Sequence, residues 1–131
     1  MWGNLTMSKA VPKQWMALLK EASEMFAETR CVPGIDGEPV QAEKIVPDAK
    51  EYISETIDDP EAIYDQAIWD TPGFAFIVSW LAQKWQQKCQ KVAPRRSKNP
   101  AQHLTKEQQT ECLESAAAEL VREITHKRLL S

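Results

Sequence analysis

Residues 71–92 read TPGFAFIVSWLAQKWQQKCQKV, and this stretch decides the fold. Thr71 followed by Pro72 is a cap with proline in the first turn, the usual opening of a helix. Phe74, Ile77, Val78, Leu81, Trp85, Cys89 and Val92 then recur at three- and four-residue spacing, so they form one broad apolar face. No strand has that period. The spacing therefore predicts a long amphipathic helix ending near Val92. Its apolar run from Phe74 to Ala82 is interrupted by Ser79 and is far shorter than the ~20 residues a membrane span needs.

The same pattern extends on both sides. From Pro12 to Arg30 the apolar positions Trp15, Leu18, Leu19, Ala22, Met25 and Phe26 predict a first helix. Pro47 opens a short helix to about Ile57, and Asp59-Pro60 opens another to about Trp69, each with proline at its entrance. Thr105 with Gln108 three residues on makes a capping box. It starts a last helix whose inward stripe is Leu113, Ala116, Ala117, Leu120, Val121 and Ile124. Between these lie two connections. Residues 31–46, CVPGIDGEPVQAEKIV, hold the turn dipeptide Asp36-Gly37, but their flanking prolines argue against a hairpin and predict a long surface loop with Ile35 near its tip. Residues 94–104, PRRSKNPAQHL, read as a basic linker. The expectation is an all-α, single-domain bundle of about five helices over residues 1–131, with a long loop after the first helix. Residues 1–10 are read as an extension outside it, and Met7 as an alternative start.

The charges are sorted along the chain. Residues 36–70 contain eleven acids and two bases, and residues 71–106 seven bases and no acid, while the whole chain carries only −3. Such a field steers partners and sets orientation without dictating a fold. On the long helix Trp80, Lys84, Lys88 and Lys91 share one shoulder, which Arg95 extends if the helix continues, with Arg96 and Lys98 following in the linker. Cations beside an aromatic ring are what a single-stranded nucleic acid requires: phosphates are neutralised and a base stacks. The same residues also suit a solvated helix face near a C-terminus. The acidic counterpart is Glu51, Glu55, Asp58, Asp59, Glu61 and Asp65. These carboxylates can imitate phosphate spacing before a basic protein surface, complement helix starts, or dock on the basic stripe within one chain or across a dimer. Partial self-neutralisation of this last kind is the expectation.

Catalytic chemistry finds little footing. A helix-turn-helix reading of residues 47–72 would set Glu61, Asp65 and Asp70 against phosphates, and repulsion excludes it. Glu123 and His126 have the spacing of a di-iron helix pair, but the second such pair that the chemistry needs is missing from the sequence. Cys31, Cys89 and Cys112 are odd in number, far apart and without C-x-x-C, so they read as reduced thiols of a cytoplasmic protein. No cofactor, metal or catalytic residue is assigned. Two functions are carried forward. The first is a non-enzymatic protein-interaction or regulatory module that binds a macromolecule by charge-segregated helical faces. Its contacts are Ile35 and the six acids, its partner is a protein, and inhibition of a nucleic-acid-handling complex is a special case. The alternative is direct single-stranded nucleic-acid binding through Trp80, Lys84, Lys88, Lys91, Arg95, Arg96 and Lys98. A membrane is not an expected partner, and separated charges suit a homodimer.

Overall fold

The computed structural model describes residues 11–33, 38–44, 51, 52, 55, 59–70 and 74–130. In chain order these form α1 (Lys13–Thr29), β1 (Cys31–Pro33), β2 (Pro39–Gln41), a 3₁₀ helix (Pro60–Tyr64), α2 (Gln66–Trp69), α3 (Phe74–Val92), a second 3₁₀ helix (Pro100–His103) and α4 (Lys106–Leu130). Residues 42–44, 51, 52 and 55 are also helical. The molecule is mostly helical, with one small sheet. None of the described helices is long and apolar enough to cross a membrane.

The long helix is the centre of the bundle. Ile77, Val78, Ser79, Trp80, Leu81 and Ala82 are buried in succession, so this half of α3 is enclosed on every side, as expected of a core helix. Against it lie Trp15, Leu19 and Ala22 of α1 and Leu113, Ala116, Ala117, Leu120 and Ile124 of α4. The small Ala116 and Ala117 let α4 approach closely, while large side chains fill the space above and below. Of the apolar faces read from periodicity, Trp15, Leu19, Ala22, Phe26, Ile77, Val78, Leu81, Trp85, Cys89, Leu113, Ala116, Ala117, Leu120 and Ile124 are buried, whereas Leu18 and Val92 are 45% and 48% exposed.

A second anchor is aromatic. Trp15 stacks on Trp69 at 4.1 Å and on Tyr64 at 5.6 Å between ring centroids, and the Trp69 indole donates to the Ile63 carbonyl. This ties residues 60–69 to α1. Asp59 caps that segment by accepting from the Glu61 amide at 3.1 Å. The single helix expected from Pro60 to Trp69 is instead a 3₁₀ turn followed by one α turn, broken at Asp65 where ψ is 137°. Of the helix expected over 47–57, only residues 51, 52 and 55 are described; Tyr52 packs on Phe76 of α3 at 5.3 Å.

Two expectations are corrected. The 31–46 segment is not only loop: β1 and β2 pair antiparallel, with Cys31 opposite Gln41, Val32 opposite Val40 and Pro33 opposite Pro39. The prolines are tolerated because of register. The Ala42 amide donates to the Arg30 carbonyl, so hydrogen-bonded pairs fall at 30/42 and 32/40. Pro33 and Pro39 then occupy a non-bonded pair, where amides point away from the partner. Fully buried Val32 packs with Phe26 and Ala42 in a small satellite cluster. Ile35 lies outside the described residues. Secondly, the 94–104 connection is no free linker, because Pro100, Ala101 and Leu104 are buried and its 3₁₀ turn packs on α3.

The capping box at the start of α4 forms as expected. The Gln108 amide donates to Thr105 Oγ1 at 3.1 Å, and the Thr105 amide donates to Gln108 Oε1 at 3.0 Å. Thr105→Ala is expected to lower stability by about 1 kcal/mol, read as a shift in urea midpoint with an unchanged slope.

Candidate anion-binding cleft and acidic face

Folding divides the basic stripe into two parts of different character. Trp80 is 0% exposed and belongs to the core, so a base could stack on it only if the ring left the bundle. Lys84 stands 5.3 Å from the Trp80 ring centroid. Its Nζ is 3.3 Å from one oxygen of Glu119, and Lys88 Nζ is 3.3 Å from the other. One carboxylate on α4 therefore bridges two lysines one turn apart on α3. Burial alone would raise the Glu119 carboxyl. Hydrogen bonding and charge from Lys84, with Lys88 beside it, more than offset that and hold it below the usual carboxylate range. Both lysines are only partly exposed, and their charge is largely used inside the molecule.

The outer part of the stripe differs. α3 stops at Val92, so Arg95 is not on the helix, and Lys91, Arg95, Arg96 and Lys98 are all exposed. Two glutamines hold the chain that carries them. Gln86, buried in α3, donates from Nε2 to the Ser23 carbonyl at 3.3 Å, to Ser23 Oγ at 3.0 Å and to Asn99 Oδ1 at 2.9 Å. One turn on, Gln90 accepts from the Ser97 amide at 3.2 Å and donates to the Arg95 carbonyl at 3.4 Å. Ser97 Oγ in turn accepts from the Asn99 amide at 3.2 Å and lies 3.1 Å from His103 Nε2. The basic segment is thus fastened at residues 95, 97 and 99.

Beside it a cleft of about 370 Å³ opens between the end of α1, the second half of α3 and this segment. Arg30, Lys91, Arg96 and Lys98 line it, with Phe26 among its apolar lining residues. Arg30 follows α1 in the left-handed conformation, with φ 61°. Its amide closes the helix on the Phe26 carbonyl at 2.8 Å, and its guanidinium lies over the Phe26 ring at 5.0 Å. Lys98 is 3.8 Å from Glu28, with both side chains well exposed, so that pair contributes little. A larger cleft, about 500 Å³, is also lined by Arg30, but there its lining includes the acidic Glu43.

The acidic residues that are described, Glu51, Glu55, Asp59, Glu61 and Asp65, are all exposed; Asp58 lies outside the described residues. Lys84 and Lys88 pair with Glu119, and Lys98 with Glu28; neither carboxylate belongs to this band. Tyr64 sits in the field of the band. Burial, then Glu61 and Glu114, push its hydroxyl above the usual phenol range.

The thiols offer no accessible nucleophile on α3 or α4. Cys89 and Cys112 are buried; burial raises both thiols, and the neighbouring Cys112 adds to the shift of Cys89. Among the described residues no group of His, Cys, Asp and Glu is placed to hold a metal ion. Sequence reasoning missed Arg30, Gln86, Gln90 and Glu119. The break in apolar periodicity after α1 could have pointed to Arg30, whereas the other three depend on tertiary contacts. Comparison with protein-family models, with curated proteins and with solved structures finds no match.

Proposed function

We propose that this protein is a non-enzymatic interaction module whose exposed acidic face engages a basic surface on a protein partner. The observation that carries the reading is that Glu51, Glu55, Asp59, Glu61 and Asp65 stay exposed while Lys84 and Lys88 are paired with Glu119. The charge separation written in the sequence is therefore available at the surface. Exposed charges of one sign steer a complementary partner and accelerate encounter. A surface that otherwise holds a phosphate backbone is one such partner, which would make the module an inhibitor of a nucleic-acid-handling complex.

The test is affinity capture from cell extract with the wild-type chain and with the E51Q/E55Q/D59N variant. Loss of the wild-type partners, with the far-ultraviolet dichroism of the variant unchanged, supports the reading. Equal capture by both removes it and leaves the acidic band as solvated surface.

The exposed cluster Lys91, Arg95, Arg96 and Lys98 favours a second reading, direct binding of single-stranded nucleic acid without a role for Trp80. Four neutralised phosphates give a log–log salt slope of about −2.8. Reversing Arg95 and Arg96 to Glu should abolish it, and binding that survives the reversal rejects this reading.

A further inference from the structure

We infer that the cleft between α1, α3 and the 94–100 segment is a phosphate-binding site, and that it takes a compact polyanion such as the pyrophosphate or polyphosphate group of a nucleotide. The inference rests on the second reading above, in which the basic surface faces anions, and it assigns that surface a discrete pocket with Arg30 as a new member. Three observations support it. Arg30, Lys91, Arg96 and Lys98 line one cleft of about 370 Å³, a volume suited to a small ligand rather than to a flat contact. Four cations gathered around so small a space repel one another, and a ligand that concentrates several negative charges relieves all of these repulsions together. Peptide carboxylates, one charge per side chain, cannot be packed so densely.

The scaffold is also fixed in advance. Gln90 fastens the backbone at 95 and 97, Gln86 holds the Asn99 side chain, and the guanidinium of Arg30 rests on the Phe26 ring. Ordering the segment and the Arg30 side chain therefore costs little when a ligand arrives. Finally, the cations are of the appropriate kind. Two are arginines, whose planar fork meets phosphate oxygens two at a time, and two are lysines acting as mobile point charges. Arg95, next in sequence, does not line the cleft, which supplies an internal control of equal charge.

Isothermal titration with inorganic pyrophosphate, ATP, AMP and adenosine tests the site. Pyrophosphate and ATP should bind, AMP more weakly, and adenosine not at all. R30Q and R96Q should each weaken pyrophosphate about tenfold or more, as expected for loss of a charged hydrogen-bonding partner, whereas R95Q should change it less than about threefold through the general field alone. K91Q/K98Q, altered only at exposed positions, repeats the test should R30Q fail to fold. Competition by a 5′-phosphorylated oligonucleotide, compared with its 5′-hydroxyl form, distinguishes a strand end from a free nucleotide as the source of the phosphate. Absence of pyrophosphate and ATP binding at millimolar ligand overturns the inference, as does an equal loss in R95Q and R96Q. Binding of a 5′-hydroxyl strand measured alongside separates the two failures. If the strand binds and pyrophosphate does not, the cleft is refuted and the second reading stands; if neither binds, both fall.

Discussion

Trp80→Ala is expected to lower the unfolding free energy by about 3–5 kcal/mol, one of the largest losses any single substitution should cause in this chain. The ring is wholly buried in the most enclosed part of α3, between residues that are themselves buried, so truncation leaves a cavity that a helix packed on all sides cannot collapse to fill. For a chain of this length the loss corresponds to roughly 4 °C in Tm per kcal/mol. Trp80→Phe should be much milder. The indole Nε1 of Trp80 is buried with no hydrogen-bond partner among the described residues, and removing an unpaired donor recovers part of what the lost ring area costs. Trp85→Phe is the useful contrast. It also removes buried indole area, but breaks the bond from Nε1 to the Gln109 carbonyl at 2.9 Å. W85F should therefore be less stable than W80F by about 1–2 kcal/mol, measured by urea denaturation at equal slope. If W80A instead unfolded within about 1 kcal/mol of wild type and lost only nucleic-acid binding, the ring would be a surface platform and its assignment to the core would be wrong.

The contrast between Trp80 and its neighbours shows what periodicity can and cannot reveal. Residues 77, 78, 81, 85 and 89 were legible as the inner face because their spacing matches a helix buried on one side. Trp80 lies off that stripe, beside the lysines. It is buried because α4 covers a second side of α3, and nothing local encodes where α4 lies. The capping box at Thr105 and the cap at Asp59 were legible for the opposite reason: they are contacts within three residues. The hairpin was missed because a proline is harmful or harmless according to its place in the hydrogen-bond alternation. That place is set by the pairing of Arg30 with Ala42, outside the prolines themselves. The second 3₁₀ turn was missed because four residues cannot show a period, and its apolar members are scattered among charges.

The candidate site was legible as a sign of charge rather than as a geometry. Lys91, Arg96 and Lys98 were identified from the run of bases, but their convergence with Arg30 depends on how α1 ends. The role of Gln86 and Gln90 was hidden for a related reason. In Gln86-Gln87-Lys88-Cys89-Gln90 the three glutamines look alike, and only the tertiary fold makes one a buried brace, one a clamp and one an exposed side chain.

Glu119 decides how much of the stripe remains available to a partner. Its carboxylate bridges Lys84 and Lys88, whose side chains are 29% and 18% exposed. Glu119→Gln would leave two ammonium groups one turn apart and partly desolvated, without their counterion. A fully buried pair broken in this way costs about 3–5 kcal/mol and an exposed one under about 1, so an intermediate loss of about 1–3 kcal/mol is expected. The pH dependence follows from the direction of the shift. Glu119 is held below its unfolded value, so its ionised form stabilises the native state. That contribution is complete above the unfolded value near ~4.3 and is lost as pH falls through the lower folded value. E119Q should lack this part of the acid-induced loss, so its stability and that of wild type should converge as pH is lowered. The functional consequence has the opposite sign. Freed of Glu119, Lys84 and Lys88 join the outer cations, and the salt slope for single-stranded DNA should steepen by about 1.4, the value for two further phosphates. If E119Q leaves both the acid profile and the salt slope unchanged, the carboxylate is solvated rather than bridging, and Lys84 and Lys88 must be returned to the exposed stripe.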